Sequence, residues 1–162
     1  MLTAERLREV LHYDPETGEW RWLISTNRKI RIGSKAGSIG NGYEVIVFNR
    51  KLYKSHRLAW LYMTGEWPRC HIDHADMDRS NNKWSNLRQA TITQNNANRH
   101  AQKNNRAGLK GVYYHKANRK YCAQTNVGGV QRYLGIFITK EEAHNAYVNA
   151  ARVEFGDYFR KE

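Results

Sequence analysis

Ile72-Asp73-His74-Ala75-Asp76-Met77-Asp78-Arg79-Ser80-Asn81-Asn82, followed by Trp84-Ser85-Asn86-Leu87-Arg88 and Thr93-Gln94-Asn95, is the stretch that decides how this chain is read. A carboxylate beside an imidazole pairs a hard oxygen donor suited to Mg²⁺ with a base that can be neutral near pH 7. The amide oxygen of Asn95 can add a second ligand without adding charge, leaving coordination positions for a phosphate and water. These side chains suit metal-assisted cleavage of a phosphodiester. An Asp-His pair alone is common and usually structural. The specificity comes from the whole constellation, with the Asn81-Asn82 pair, Asn86-Leu87-Arg88 and Asn95 at set distances from it.

That constellation resembles the HNH endonucleases of phages and mobile introns, with His74, Asn86 and Asn95 as the three name-giving residues. The resemblance implies a short strand ending in Asp-His, an asparagine-stiffened loop, a second strand and a helix bearing the last Asn. It implies His74 as general base, and Asp73 and Asn95 as ligands to one divalent cation, Mg²⁺ or Mn²⁺ in its place. Asn86 belongs to the catalytic set chiefly by tying the loop to its strands through side-chain hydrogen bonds. The products implied are 5′-phosphate and 3′-hydroxyl ends. The setting implied is a phage or prophage gene expressed in a bacterial cytoplasm, with homing as an open role. Tyr13-Asp14-Pro15-Glu16-Thr17-Gly18, Gly42-Tyr43 and His56-Arg57-Leu58-Ala59-Trp60 also resemble the leader of phage HNH proteins.

Charge points to the same polymer. The chain has 27 Lys+Arg against 15 Asp+Glu, a net +12, and no acidic residue lies between Asp78 and Glu141. A merely solvated surface would mix signs, whereas a one-signed field of this length suits phosphate binding with counterion release. A membrane surface also attracts lysine and arginine, but the run has no amphipathic helical stripe to insert. With 40% hydrophobic and 12% aromatic residues the chain is not generally disordered. The start Met1-Leu2-Thr3-Ala4-Glu5 lacks the pattern of a signal peptide. Cys70 and Cys122 form no Cys-x-x-Cys pair, so free thiols are expected in place of a zinc knuckle.

The elements expected along the chain are short. Thr3 caps a helix carrying Leu7, Val10 and Leu11, the Asp14–Gly18 turn follows, and Trp20 and Trp22 alternate as in a strand. Tyr43 to Phe48 and Leu52 to Lys54 pair across an Asn49-Arg50-Lys51 turn, and Ser55 caps a helix ending at Gly65. Trp20, Trp22 and Trp60 are expected in the core. His56, early on that helix, and His71, two residues before Asp73, are auxiliary candidates for phosphate or metal contact. His12, His100 and His144 have no comparable context. Thr93 is expected to cap the last helix of the HNH unit. The basic stretch after it, with Arg99, Lys103 and Arg106, reads as a linker able to track a DNA backbone.

The C-terminal third has a strand-strand-strand-helix rhythm: Lys110 to His115, Arg119 to Val127, Val130 to Phe137, with Gly128-Gly129 as a hairpin turn. Thr139-Lys140-Glu141-Glu142 reads as a capping box before an Ala143, Ala146, Tyr147, Ala150 stripe that Gly156 ends. At Lys110-Gly111-Val112, Lys120-Tyr121-Cys122-Ala123, Tyr133-Leu134-Gly135-Ile136-Phe137 and Glu141-Glu142-Ala143 the segment resembles the Apetala/ERF-type DNA-binding domain. That family lays a three-stranded sheet in the major groove. Alternation and the resemblance agree on one exposed face: Lys110, Tyr113, His115, Gln124, Asn126, Gln131 and Tyr133, with Val112, Tyr114 and Leu134 under the helix. Arg119, Lys120 and Arg132 complete the expected DNA contacts. Tyr113, His115, Asn126 and Gln131 stand where the plant proteins place arginine, so their base preference does not transfer.

The expectation is therefore an α+β protein: a β-rich leader plus ββα-metal unit over 1–98, a basic linker over 99–108, and a sheet-and-helix DNA-binding domain over 109–162. The function expected is metal-dependent hydrolysis of duplex DNA, with no membrane partner; the oligomeric state stays open, a monomer being the simpler expectation. Two other readings remain: a DNA-binding regulator with an inactive nuclease unit, and a binder of structured RNA.

Overall fold

The computed structural model describes residues 1–102 and 104–159, so Lys103 among the expected phosphate contacts lies outside the described residues. The fold is α+β and divides into two compact units, Met1–Gln89 and Ala90–Glu162. No helix of the described residues is long and apolar enough to cross a membrane.

The first unit opens with helix α1 (Ala4–Val10), whose N-terminus Thr3 caps by accepting the Arg6 amide at 3.3 Å. Strands β1 (Leu11–Tyr13), β2 (Trp20–Trp22) and β3 (Lys35–Ala36) form one antiparallel sheet. The connection between β1 and β2 is closed by Asp14, whose Oδ1 accepts the Glu16 amide at 2.9 Å, and by Gly18 at φ +76°. Strands β4 (Ser38–Gly40), β5 (Tyr43–Phe48) and β6 (Lys51–Lys54) form a second antiparallel sheet. Phe48 pairs with Lys51, so the turn is only Asn49-Arg50, both in the left-handed region, and Lys51 belongs to the strand. Two consecutive left-handed residues match the twist of a two-residue hairpin.

Helix α2 (Ser55–Thr64) follows directly. Lys54, not Ser55, occupies its N-cap position, and the Ser55 hydroxyl is buried in the first turn with no partner among the described residues. Leu58, Ala59 and Leu61 face inward, joining Leu7, Val10, Leu11, Tyr13, Trp20, Trp22, Ile46 and Ile72 in one core, against which Trp60 is partly buried. Tyr13 and Trp20 are 4.7 Å apart between ring centroids, and Trp20 meets the Tyr62 edge at 5.6 Å and 90°. Burying one such side chain stabilises by about 1.5–3 kcal/mol, which is how strands this short hold their register. Strand β7 (His71–His74) and strand β8 (Leu87–Ala90) make a two-stranded sheet, and a turn of 3₁₀ helix at Trp84–Asn86 leads into β8.

In the second unit, helix α3 (Ile92–Ala97) is capped by Thr91, two residues before the expected Thr93, in a reciprocal box with Gln94. Strands β9 (Val112–His115), β10 (Lys120–Val127) and β11 (Val130–Phe137) form an antiparallel sheet in the order β11-β10-β9. Gly128 and Gly129, at φ +59° and +86°, make its hairpin turn. Helix α4 (Lys140–Phe155) starts in the Thr139–Glu142 capping box and ends at Gly156. Its buried stripe is Ala143, His144, Tyr147, Val148 and Ala151; Ala150 is only half-buried, one residue off the stripe. Between Ala123 and Gln124 the β10–β11 register shifts, leaving Leu134 without an opposite residue and turning it into the core. Such a bulge changes the facing of every residue beyond it. Val112 is buried under α4, whereas Tyr114 is 45% exposed and rests edge-on against Tyr121 at 5.2 Å.

Gly111 fixes how closely the sheet approaches α4. At φ +75° it leaves a gap in which an added Cβ would lie 2.1 Å from the Tyr147 ring. Gly111→Ala is therefore expected to destabilise the second unit by about 1–3 kcal/mol from overpacking, with backbone strain in addition. Urea denaturation followed by far-ultraviolet circular dichroism measures it, and an unchanged midpoint would contradict this packing.

Candidate active site

β7 carries the two residues on which the sequence reading centres, and both are buried: Asp73 is 5% and His74 4% exposed. Asp73 Oδ2 accepts a hydrogen bond from Nε of Arg88 on the neighbouring strand at 3.0 Å, and Arg88 Nη2 completes the ion pair at 2.9 Å. A charge-assisted pair of this kind is strong and directional where water is excluded. Arg88 stands within the sequence pattern but carries no role there; on a strand paired with β7 it is the cation that accompanies the buried carboxylate.

His74 Nε2 meets Asn82 Oδ1 at 3.2 Å, and Asn82 Nδ2 donates to Glu44 Oε2 on β5 at 3.0 Å. Burial pushes the His74 pKa down; the bond to Asn82 and the carboxylates of Asp76, Asp73 and Asp78 work against that, but burial prevails. The ring is thus held neutral near pH 7, the form a general base requires. The His56 ring, in the first turn of α2, stands edge-on to His74 at 4.9 Å, and its buried Nδ1 has no hydrogen-bond partner among the described residues. Burial first, then the nearby His74, Lys54 and Arg57, depress its pKa to about 3. The Tyr43 ring lies 5.3 Å from His56 and 6.2 Å from His74. Over that ring sit two exposed cations, Lys54 Nζ at 4.2 Å and the Arg79 guanidinium at 5.0 Å. His71 is exposed at the start of β7.

The loop between β7 and β8 is held by its own side chains. Asn86 Oδ1 accepts the Asp76 amide at 3.0 Å, and Asn86 Nδ2 donates to Asp76 Oδ1 and to the Asn81 carbonyl, both at 2.9 Å. Asn81 Nδ2 donates to Asp76 Oδ2 at 2.6 Å. Burial tends to raise the Asp76 pKa, but the bonds from Asn81, Asn86 and the Asp78 amide outweigh it and hold the group below the usual carboxylate range. Asp78 is likewise lowered, by the Ser80 hydroxyl and amide. Both carboxylates thus shape the loop. Among the described residues, no three His, Cys, Asp or Glu side chains converge as a metal cluster. The candidate metal donors are oxygens, the Asp73 carboxylate among them, which suits a hard divalent cation.

Residues 53–97 match a family model described as HNH endonuclease. That segment is similar to HNH endonucleases. No curated protein and no solved structure matches the chain. The matched stretch contains His74, Asn86 and Asn95 and runs from β6 to α3. The leader with Tyr13, Gly18 and Glu44 lies outside it, as does the C-terminal sheet.

The remaining candidates lie in the second unit. Asn95 is half-buried on α3. Arg99 and Arg106 are exposed, and Ala107, at the end of the expected linker, is part of the second unit's core. Tyr113, His115, Lys120, Gln124, Asn126, Gln131 and Tyr133 share the sheet face opposite Val112, Ala123 and Thr125, and Arg119 is exposed in the turn before β10. Two expected members sit elsewhere. Lys110 precedes β9 and donates through Nζ to the carbonyls of Ala97 and Arg99. Arg132 pairs with Thr125 on the helix side of the sheet, 3.7 Å from Glu154 of α4.

His56 makes acid stability a direct readout of this pocket. Its folded pKa of about 3 lies below its ordinary 6.5, so between those values the unfolded chain binds a proton that the folded chain refuses. Stability from this group is therefore complete above about pH 6.5 and declines as pH falls. His56→Gln is expected to flatten the fall by up to about 1.4 kcal/mol per pH unit. Urea midpoints by tryptophan fluorescence from pH 7 to 4 decide it, parallel curves for the two proteins being the contrary result.

Proposed function

We propose that the protein is a metal-dependent endonuclease that hydrolyses phosphodiester bonds of duplex DNA. The observation that carries this is the buried neutral His74 beside the Arg88-paired Asp73, within a segment that matches the HNH endonucleases. Asp73, with Asn95 by the sequence resemblance, would hold a divalent cation, magnesium or manganese. When bound, that ion supplies Lewis-acid stabilisation of the charge that builds on the phosphate. His74 takes a proton from the water that attacks phosphorus, while the bond to the 3′ oxygen breaks to leave a 5′-phosphate and a 3′-hydroxyl. Lys54 and Arg79, over Tyr43 beside the histidines, are placed to bind backbone phosphates next to the scissile one.

The face of β9–β11 bearing Tyr113, His115, Lys120, Gln124, Asn126, Gln131 and Tyr133 is proposed as an Apetala/ERF-like DNA-contact surface, with Arg99, Arg106 and Arg119 on phosphates. Its support is the absence of any acidic residue between Asp78 and Glu141, together with the dense amide, phenol and imidazole groups of that face. Such groups reach base edges in the major groove, which admits strands. A phage origin, a bacterial cytoplasmic setting and homing belong to this reading as its biological frame.

His74→Ala is expected to keep its DNA affinity and lose about 10²–10⁴-fold in single-turnover cleavage, the usual contribution of a general base. Supercoiled plasmid with Mg²⁺, Mn²⁺ or EDTA is the assay. Metal-independent binding with no nicking by the wild type would favour an inactive regulator, and preference for structured RNA over duplex DNA in competition would move the substrate class. On the sheet, Arg119→Ala and Lys120→Ala together should make the salt dependence of binding shallower, by about 0.9 in log–log slope for each phosphate they no longer neutralise. A slope equal to wild type by fluorescence anisotropy removes these two residues from the DNA interface.

A further inference from the structure

We propose that Glu44 is a positioning residue: acting through Asn82, it fixes the tautomer of His74 so that Nε2 holds the proton and Nδ1 is the atom that accepts one from water. The proposal rests on the nuclease reading above. It assigns a role to β5 of the leader, which lies outside the matched segment.

The argument begins at the Asn82 side chain, which is 2% exposed. Its Nδ2 donates to Glu44 Oε2 at 3.0 Å and to the Ser80 carbonyl at 3.3 Å. A backbone carbonyl accepts only, and so does a carboxylate, so turning the amide over would set its oxygen against two oxygens. Asn82 Oδ1 therefore faces His74, 3.2 Å from Nε2. An amide oxygen accepts only, which requires the hydrogen on Nε2. A neutral imidazole carries one N–H, so the lone pair is on Nδ1.

The leader holds this amide from several sides. The Tyr13 hydroxyl donates to the Asn82 carbonyl at 2.6 Å. Gly18 lies so close that a Cβ there would stand 2.5 Å from the Asn82 carbonyl carbon and 2.6 Å from the Lys83 nitrogen. Gly37, at φ +104°, would bring a Cβ to 3.1 Å from the Glu44 side chain, so glycine leaves that carboxylate its place. Buried side-chain chains of this kind orient a functional imidazole in the way that outer partners orient metal-bound histidines.

The test uses the full-length chain labelled with ¹⁵N, without metal, and reads the His74 ring by multiple-bond ¹H–¹⁵N correlation, its signals assigned by their loss in His74→Gln. The wild type is expected to show the Nε2–H pattern, with a slowly exchanging Nε2 proton. In Glu44→Gln that proton should shift and exchange faster. The single-turnover rate should drop about 10–100-fold at unchanged DNA affinity, and Glu44→Asp should recover part of it. An Nδ1–H pattern in the wild type overturns the proposal without any variant. So does a folded Glu44→Gln or Glu44→Asp protein whose Nε2 proton and cleavage rate both equal those of the wild type. A wild type that cuts no DNA removes the nuclease reading alone, because the ring pattern and its response to Glu44→Gln are read without substrate.

Discussion

A loop as polar as Asp76 to Lys83 can bury Asn82 against a protein only if its polar groups find partners, since an unbonded buried polar group costs about 1–3 kcal/mol. That requirement organises the first unit. Asn82, with its backbone carbonyl on Tyr13 and its side chain between Glu44, Ser80 and His74, is where the leader and the loop satisfy each other. Asn86 and Asn81 do the same for Asp76. The two short strands β7 and β8 could not hold His74 to a fraction of an ångström by their own pairing. The hydrogen-bonded loop and the leader behind it supply the rigidity.

The electrostatics follow from the same burial. The two carboxylates of the loop are engaged in shaping it, Asp73 is accompanied by Arg88, and Glu44 reaches His74 only through Asn82. The two buried histidines are kept neutral because neither environment can solvate an imidazolium. Exposed cations stand around this neutral pocket, with Lys54 and Arg79 over Tyr43. Such an arrangement attracts a polyanion while leaving the reacting nitrogen unprotonated, which is the combination that phosphodiester hydrolysis by a general base requires.

Much of the fold was legible because short-range chemistry determines it. Thr3, Gly65, Gly128-Gly129 and the Thr139–Glu142 box mark element ends through bonds made within three or four residues. Where two such signals competed, the local sequence was ambiguous. Thr91 caps α3 in preference to Thr93 because only Thr91 has Gln94 three residues on to complete the box. Lys54 precedes α2 as cap because Ser55 is drawn into the buried first turn. The Ala143 stripe runs on to Ala151 and not Ala150, since the four-residue steps from Ala143 through Tyr147 lead to it. Lys110, expected on the exposed sheet face, lies before the strand and reaches the end of α3, and Arg132, expected among the DNA contacts, faces the helix.

By itself the sequence determined the α+β class and the sheet-and-helix C-terminal unit, and it named Asp73, His74, Asn86 and Asn95 as candidates, because residue type, spacing and charge are properties of the chain read in order. Only the tertiary structure decided which partners these residues meet. Arg88 on Asp73 is a cross-strand contact between residues that alternation alone leaves unassigned. The link from Glu44 through Asn82 to His74 joins residues 38 positions apart, then 8. Nothing local announces it, since its geometry exists only once the leader sheet and the loop are packed and water is gone from between them.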